Sequence, residues 1–326
     1  MKKVLITGGG GYVGSALADY LVECGYYVTA YDLFLYGENV FESKKNLKKI
    51  KGDIRDIISF NSAVKGQDAV IHLACISNDP SFELNPKLGK SINLDAFEPL
   101  VKSCQRSGVK RFIYASSSSV YGLKKEKNIV EEMKLEPITD YSKYKASCEE
   151  ILKKFKGENF ETVTIRPATV CGYSKRQRLD VIVNILSNLA YHKREISTFG
   201  GKQLRPNIHI KDMLRSYLAL LKADTKKING RVFNAGWENM SVNDIASSVK
   251  KNVGQDVKII NTPSNDTRSY HISSERIKNS LGFTTKFTID DAIQDLINAF
   301  DKKLFDNPLK NDLYFNIKRM QKINLK

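Results

Sequence analysis

Long apolar runs are missing from this sequence of 326 residues: none approaches the roughly 18 to 20 residues that a membrane span needs. At its start, MKKVLITGGGG, the apolar run ends after three residues, so we expect no signal peptide. Histidine and cysteine are scarce, with four and five residues, and their scatter does not match metal-ligand spacing. An odd number of scattered cysteines is typical of reduced thiols. We therefore predict a cytoplasmic protein with no metal site and no membrane partner.

Acidic residues are also comparatively few, since 36 Asp and Glu residues stand against 52 Lys and Arg residues and give a net charge of +16. Such a charge suits nucleic acid, an anionic membrane or small anionic ligands. The lysines are dispersed in short groups near expected loops and helix ends, including the tail IKRMQKINLK, as on a solvated surface. No nucleic-acid motif accompanies them, so nucleic acid is the less favoured partner and a small anionic ligand the favoured one.

Four consecutive glycines lie in the segment VLITGGGGYVGSALADYL, between a short apolar strand and a helical pattern. Gly8, Gly11 and Gly14 fall at Gly-x-x-Gly-x-x-Gly spacing, a relative of the dinucleotide fingerprint. Without Cβ atoms the turn allows close approach of a ligand, and the N–H groups at the helix start suit a phosphate. A merely flexible turn is the alternative. The predicted dinucleotide contacts of this segment are Gly8, Gly11, Tyr12 and Val13.

Acidic residues follow the second and third predicted strands. YYVTAYD closes on Asp32, where a carboxylate binds the adenine ribose hydroxyls in dinucleotide-binding folds. This carboxylate would repel a 2′-phosphate, and residues 31–40 contain no Arg, so we predict NAD rather than NADP. The segment LKKIKGDIRD places Asp53 and Ile54 at the same sheet edge. Asp53 is interpreted either as an acceptor for the adenine amino group or as a helix N-cap.

The order of elements predicts the architecture. Strands alternate with helices in the first half, which is typical of a parallel sheet covered on both faces. The strands are expected at 4–7, 26–32, 47–53, 68–74, 110–117 and 160–167 and the helices at 87–107 and 139–156, followed by helices near 179–192, 242–253 and 289–303. We predict an α/β fold with a Rossmann-type, doubly wound NAD-binding domain at 1–170. A smaller C-terminal α/β lobe at 171–326 is expected to bind substrate, with some segments returning to the first domain.

A tyrosine and a lysine are spaced i, i+4 in PITDYSKYKASCEE, on one face of a helix that begins near Thr139. A tyrosine accepts a proton only if its pKa falls from about 10 towards neutral. One cation about 4 Å away contributes roughly 4 kcal/mol, or about three pKa units. We therefore expect Lys145, together with a positively charged nicotinamide, to lower the pKa of Tyr141. The alternative is a surface pair on an ordinary amphipathic helix.

Six motifs in order carry a family resemblance: GGGGYVGS, GDIRD, VIHLAC, ASSSSVYG, YSKYK and RPATVCG. Over roughly residues 2 to 300 the sequence resembles the extended short-chain dehydrogenase/reductase family, the NAD-dependent epimerases and dehydratases of nucleotide sugars. The resemblance implies that Tyr141 takes the proton of a sugar hydroxyl while hydride leaves for NAD. It implies that Lys145 binds the nicotinamide ribose and that Ser117 hydrogen-bonds the same hydroxyl. Further cofactor contacts implied by it are Leu73, Ala74, Asn93 and Pro167.

The resemblance also implies a homodimer, formed through the helices near 87–107 and 139–156. The first of these helices carries four apolar residues, Leu94, Phe97, Leu100 and Val101. Packing in the core of the chain explains these residues equally well.

The sequence departs from the family's 4,6-dehydratases at Ser118 and Ser119, where those enzymes carry Asp-Glu. A hydroxyl does not replace a carboxylate as general acid or base at neutral pH, so dehydration is disfavoured. We predict a 4-epimerase that uses transient hydride transfer at a sugar carbon. The alternative is a net C4 dehydrogenase or a keto-sugar reductase on an NDP-hexose or NDP-heptose. Less favoured are a 4,6-dehydratase, a non-catalytic NAD-binding module and a nucleic-acid binder.

Cations in the second half suit a nucleotide diphosphate sugar. Arg205 resembles the family's Arg-x-x-x-His segment that holds the diphosphate, and Arg268 lies in the corresponding C-terminal segment. YSKRQRLDVIVN adds Arg176, Arg178 and Asn184 at a helix entry. For each arginine, an ion pair within the protein is an equally good interpretation. The predicted substrate contacts are Ser117, Arg176, Arg178, Asn184, Arg205 and Arg268.

Overall fold

The centre of the computed structural model, which describes residues 1–41, 44–124, 126, 128–263, 271–323 and 325, is a seven-stranded parallel sheet. Its strands are β1 (Lys3–Thr7), β2 (Tyr27–Asp32), β3 (Leu47–Lys51), β4 (Ala69–His72), β5 (Arg111–Ala115), β6 (Glu161–Pro167) and, further along the chain, β10 (Arg231–Ala235). Their order is β3-β2-β1-β4-β5-β6-β10. The order reverses between β1 and β4, and ligands bind at such a point in open α/β sheets. The predicted fold class is confirmed.

Five further strands lie in the described part of the second half. They are β7 (Thr169–Cys171), β8 (Glu195–Phe199), β9 (Leu204–His209), β11 (Glu238–Ser241) and β12 (Lys258–Thr262). β9 lies between β7 and β11 in one small sheet, and β8 pairs with β12. β10 instead returns to the central sheet, in register with β6. The division of the chain at residue 170 stays a prediction.

Thirteen α-helices occur in the described ranges. They are α1 (Tyr12–Glu23), α2 (Ile57–Val64), α3 (Asp79–Glu83), α4 (Pro86–Lys90), α5 (Phe97–Arg106), α6 (Asp140–Lys153), α7 (Ile182–Lys193), α8 (Ile210–Lys222), α9 (Thr225–Ile228), α10 (Val242–Val253), α11 (Glu275–Leu281), α12 (Ile289–Asp301) and α13 (Asn316–Ile323). Within these ranges, no helix combines the length and the apolar character that crossing a membrane requires.

The prediction of one continuous helix at 87–107 is wrong, because this range contains two helices. α4 and α5 are separated by a π-helical turn, Ser91–Asp95, in which the Ala96 N–H donates to the Ser91 carbonyl at 3.1 Å. Pro99 has no N–H to continue the α-helical hydrogen bonds at this point, so the helix restarts at Phe97.

Inner strands of the central sheet, such as β1 and β4, are buried on both faces, which explains their short apolar runs. α1 and α8 cover one face through residues such as Leu17 and Met213. α2 and α5 cover the other face through residues such as Phe60 and Leu100. Leu100 was one of the residues considered for a dimer interface, and it packs inside the chain, as do Phe97 and Val101. The homodimer stays a prediction. All five cysteines are free thiols.

Candidate active site

The glycine turn joins β1 to α1 in a conformation that side chains do not tolerate. Gly8 has φ +73°, and a Cβ there would lie 2.7 Å from the backbone nitrogen of Ala74. A Cβ on Gly14 would lie 2.0 Å from the Gly8 carbonyl oxygen. Gly11 precedes the first turn of α1, whose N-terminus therefore faces the carboxyl edge of the sheet without a side-chain cap. The glycine spacing is thus required by close backbone packing around an anion-binding helix start.

Asp32 ends β2 directly beside this turn. Its Oδ2 accepts a hydrogen bond from Gly10 N at 3.0 Å, and its Oδ1 accepts one from Phe34 N at 2.6 Å. Burial raises the pKa of Asp32 above its ordinary value, while these backbone donors and the Arg176 guanidinium oppose the shift. The carboxylate is therefore fixed where this fold holds a ribose.

Asp53 follows β3 and lies in the same cavity as Ile54. Its carboxylate forms an ion pair with Arg55, with 2.6 Å between Oδ2 and Nη2. The interpretation of Asp53 as a helix N-cap is wrong. Asp56 caps α2 instead, accepting from Ile58 N and Ser59 N at 3.1 Å. The second acid of GDIRD has this role because it directly precedes the first helical residue.

Three predicted catalytic side chains converge at the ends of β5 and α6. Thr139 caps α6 in a capping box with Ser142, so Tyr141 lies in the first turn. The Lys145 Nζ donates to the Ala115 carbonyl at 2.7 Å and lies 5.9 Å from the centre of the Tyr141 ring. The Ser117 hydroxyl is near enough to that of Tyr141 to lower its pKa. The geometry brings these side chains together as the motifs predict.

The protonation of Tyr141 differs from the expected state. Burial of its hydroxyl raises the pKa of Tyr141 well above the ordinary value, and the nearby Cys75 and Asp79 raise it further. Arg178 and the Ser117 hydroxyl oppose this shift. Burial is the largest of these influences, so the residues present favour a neutral phenol.

A buried ion pair holds α6 against the sheet. The Arg166 Nη2 of β6 lies 2.6 Å from the Glu149 Oε2, and both side chains are almost fully buried. Ser116 donates to Glu149 Oε1 at 2.5 Å, which ties the end of β5 to the same carboxylate. Sequence reasoning missed Glu149, which follows Lys145 by four residues on the same helix.

The glycine turn, Asp32 and Tyr141 share one cavity at the carboxyl ends of the central strands. The predicted cofactor residues that line it are Gly8, Gly11, Tyr12, Val13, Asp32, Asp53, Ile54, Leu73, Ala74, Tyr141, Lys145 and Pro167. Asn93 stands behind the wall. Its side chain accepts from Ile76 N at 2.9 Å and donates to Ile76 O at 3.0 Å. It thereby fixes a loop that does line the cavity.

Two of the predicted substrate residues line the same cavity. The Arg176 guanidinium stacks on Tyr36, with 3.5 Å between Cζ and the ring centre. Arg178 pairs with Asp180, with 2.6 Å between Nε and Oδ1. Among the described residues, no hydrogen-bond partner is present for the buried Arg176 Nε or the buried Arg178 Nη2. Buried donors without partners are costly, so this pair is suited to an anionic ligand.

The structure does not bring the other predicted substrate residues to the cavity wall. Asn184 is buried behind it, donating to Tyr12 Oη at 3.1 Å and to the Arg178 carbonyl at 2.8 Å. Arg205 lies on β9, in the small sheet. Ser117 does not line the cavity, but its hydroxyl lowers the pKa of Tyr141, which does. Arg268 lies outside the described residues.

Several lining residues were not predicted from the sequence, namely Tyr36, Tyr217, Asn316 and Leu325. Tyr36 and Tyr217 carry no distinguishing local signal. The C-terminal tail, which contains Asn316 and Leu325, does carry a local signal. Its residues Ile317, Met320 and Ile323 recur at three-residue spacing, which indicates a helix with one apolar face.

Comparison with known proteins agrees with this geometry. Residues 4–236 match the model of the NAD dependent epimerase/dehydratase family. The chain belongs to this family. NAD is its cofactor.

Named relatives extend over most of the chain. UDP-glucose 4-epimerase from Lactobacillus helveticus is 27% identical over 313 residues, which cover 89% of this chain and 94% of that protein. An uncharacterized protein of Sinorhizobium fredii, y4nG, is 31% identical over 202 residues, 62% of this chain, and the chain spans only 48% of its length. The structure of UDP-glucuronic acid 4-epimerase from Bacillus cereus with UDP-glucuronic acid and NAD has a TM-score of 0.83. It is 25% identical and covers 93% of this chain and 100% of that chain.

The residues present fit NAD. The glycine turn lacks the Cβ atoms that would obstruct a pyrophosphate, and the N-terminus of α1 points outward beside it. Asp32 places a fixed carboxylate in the same cavity, and a carboxylate at this position of the fold binds ribose hydroxyls. Tyr141 and Lys145 line the same cavity as the glycine turn and Asp32.

Proposed function

We propose that this enzyme of the NAD-dependent epimerase/dehydratase family is a nucleotide-sugar 4-epimerase. One observation carries the proposal. Ser117, Tyr141 and Lys145 converge beside the dinucleotide turn, while the position next to them that a dehydratase fills with a carboxylate is a serine. The site is therefore equipped for removing and returning a proton and a hydride, and it lacks at these positions the groups for eliminating water.

Each side chain has a defined task in this proposal. Tyr141 takes the proton of the sugar hydroxyl and returns it at the end of the reaction. Ser117 holds the same hydroxyl, and Lys145, anchored on the Ala115 carbonyl, provides the positive charge beside the phenol. NAD held beside the glycine turn and Asp32 would supply the hydride acceptor for the sugar carbon and, in its reduced form, the hydride donor for the return step.

The arrangement around Ser117 argues against dehydration. Ser118 is buried, and the Ser119 hydroxyl lies 2.9 Å from that of Ser117, so it is engaged in positioning a catalytic side chain. Elimination of water needs an acid and a base placed across the two carbons that lose the elements of water. Neither position 118 nor position 119 offers a carboxylate.

A nucleotide diphosphate sugar is the proposed substrate. Arg176 and Arg178 bring two buried cations to the cavity, and each has an N–H group directed away from its protein partner. Guanidinium groups bind phosphate oxygens with two parallel hydrogen bonds. UDP-sugars are named for the Lactobacillus helveticus and Bacillus cereus relatives, and they are the first compounds to test.

The decisive experiment is product analysis by ¹H NMR after incubating the purified enzyme with UDP-glucose or UDP-glucuronic acid. We expect a mixture of the substrate and its C4 epimer, without accumulation of NADH at 340 nm. NADH formed in step with product would replace the proposal by a net C4 dehydrogenase. A 4-keto-6-deoxy sugar as the product would instead identify a dehydratase.

A further inference from the structure

A C-terminal segment contributes two residues, Asn316 and Leu325, to the wall of the cavity. We call Asn316–Ile323, which form α13, together with Leu325 the C-terminal strap. Asn316 is buried and donates from Nδ2 to the Ser77 hydroxyl at 3.0 Å, while its Oδ1 accepts from Arg176 Nη2 at 2.8 Å. Its backbone N–H donates to Asp180 Oδ2 at 2.8 Å. One asparagine therefore links the loop after β4 to the segment between β7 and α7.

A second attachment joins the strap to the adenosine side of the cavity. Arg319 Nε donates to the Leu35 carbonyl at 2.5 Å, three residues beyond Asp32. The Arg319 guanidinium is held in place by Asp312, with 2.9 Å between Nη1 and Oδ2. Leu35, Ser77 and Arg176 all line the cavity, so the strap is bonded to three separate parts of its wall.

Apolar contacts place the strap over the same end. Met320 is buried, and Ile323 and Leu325 pack against the apolar cluster that contains Ile54. Leu325 itself lines the cavity. Leu35 and Ile54 line the cavity together with Asp32, the predicted ribose ligand. The strap thus adds apolar surface to the part of the protein that carries these residues.

We infer that the C-terminal strap is part of the cofactor site and retains NAD by covering its adenosine half. Release of the dinucleotide on this side requires breaking the bonds of Asn316 and Arg319. The inference rests on NAD as the cofactor and not on the sugar reaction. It matters for that reaction because an enzyme that returns a hydride to the sugar must keep its reduced cofactor between the two transfers.

The test is the rate at which NADH leaves the enzyme, followed by loss of NADH fluorescence after mixing with excess NAD. We expect the double variant Asn316→Ala/Arg319→Ala to release NADH at least tenfold faster, because three hydrogen bonds to the wall are lost. Lys322→Ala is the matched control. Lys322 lies on the same helix and also binds Asp312, at 2.7 Å, but makes no bond to the cavity wall in the described structure. Its release rate should stay within twofold of the original.

Thermal unfolding of each variant separates retention from folding. An equal release rate in a folded double variant would overturn the inference and make the strap a purely structural closure of the chain. If the double variant does not fold, Asn316→Ala and Arg319→Ala are measured singly, with release about threefold faster expected from each. Unchanged rates in both would again overturn it. Sugar turnover is not part of this measurement, so failure of the proposed epimerase activity would not affect its outcome.

Discussion

The two walls of the cavity are built in different ways. The N-terminal wall consists of the lining residues between Gly8 and Pro167, which follow strand ends or lie in the first turns of α1 and α6. The C-terminal wall consists of Arg176, Arg178, Tyr217, Asn316 and Leu325. Here the contacts join distant segments: Arg176 and Asn316 are 140 residues apart. The first wall carries the groups for chemistry, whereas the second carries side chains suited to holding anionic ligands.

The anchoring of the two walls differs as well. In the N-terminal wall the Arg166–Glu149 pair has exposed side-chain fractions of 4% and 0%. In the C-terminal wall the Arg319–Asp312 pair has fractions of 21% and 19%. Partly exposed pairs contribute little and open at low free-energy cost. A rigid catalytic wall therefore faces a wall that is able to open for ligand exchange.

Replacing the proposed proton acceptor, which lies in the N-terminal wall, should have the largest effect of all, a loss of turnover. Tyr141→Phe removes only the phenol oxygen, so we expect turnover to fall by about a thousandfold or more while NAD binding and stability persist. The measurement is the initial rate with the sugar that the wild-type enzyme converts. Tyr144→Phe, a change on the same helix whose ring packs against Phe82, is the control and should stay near wild-type activity. Comparable losses in both variants would contradict the assignment.

The next largest effect is a loss of stability when the carboxylate of one of the two ion pairs, Arg166–Glu149 or Arg319–Asp312, is removed. Glu149→Ala leaves the buried Arg166 without its carboxylate, and we expect it to lower the free energy of unfolding by about 3–5 kcal/mol. Asp312→Ala removes the corresponding carboxylate of the C-terminal wall and should lower it by about 1 kcal/mol or less. Denaturant unfolding measures both variants. Equal losses would mean that the two walls are anchored alike.

Two separate glycine variants test whether the N-terminal wall needs glycine because of close packing and not because of a positive φ alone. Gly8→Ala combines a positive φ with a Cβ 2.7 Å from Ala74 N, so we expect NAD affinity to fall at least tenfold. Gly25→Ala has a similar φ of +84°, but its Cβ meets no described atom within 4 Å. It should cost about 1 kcal/mol of stability and leave NAD affinity unchanged. Titration by calorimetry compares them, and weakened binding in both would contradict the explanation.

The predicted effect that is absent at neutral pH, and therefore the smallest under ordinary assay conditions, is a dependence of stability on pH in the N-terminal wall. His72 on β4 has 2.7 Å between Nδ1 and the Thr7 Oγ1, and burial lowers the pKa of His72 from 6.5 to about 3, aided by Lys145. The neutral imidazole is favoured in the fold, so its contribution is complete above pH 6.5 and is lost as the pH falls towards 3. Each pH unit in this window costs about 1.4 kcal/mol.

This contribution is measured by comparing wild type with His72→Gln across that range. The variant should show a shallower loss of unfolding free energy on acidification, because it has no imidazole to protonate. An identical slope in the two proteins would mean that His72 does not titrate as described.

The N-terminal wall was largely predictable because its signals are local. Apolar runs mark the strands, and Gly8, Asp32 and Tyr141 follow or precede them at spacings set by backbone geometry. Local signals did not identify which of two neighbouring acids caps α2. Asp53 was considered as the cap, but the cap is Asp56. Local signals failed again for the pKa of Tyr141, because burial depends on the assembled protein.

The C-terminal wall was only partly predictable. Arg176 and Arg178 were recognised as candidate ligands by their charge, whereas the tail was interpreted as solvated surface. Its lysine at position 322 is exposed, but Asn316 and Met320 are buried. Their role depends on contacts with residues more than a hundred positions away, which no local pattern encodes.

The most direct test of the account is mass spectrometry of the small molecules released when the freshly purified protein is denatured. An enzyme with NAD held between the two walls should release NAD or NADH in nearly equimolar amount. NADP in the released fraction would contradict the role of Asp32, and a protein without any dinucleotide would contradict retention by the C-terminal wall.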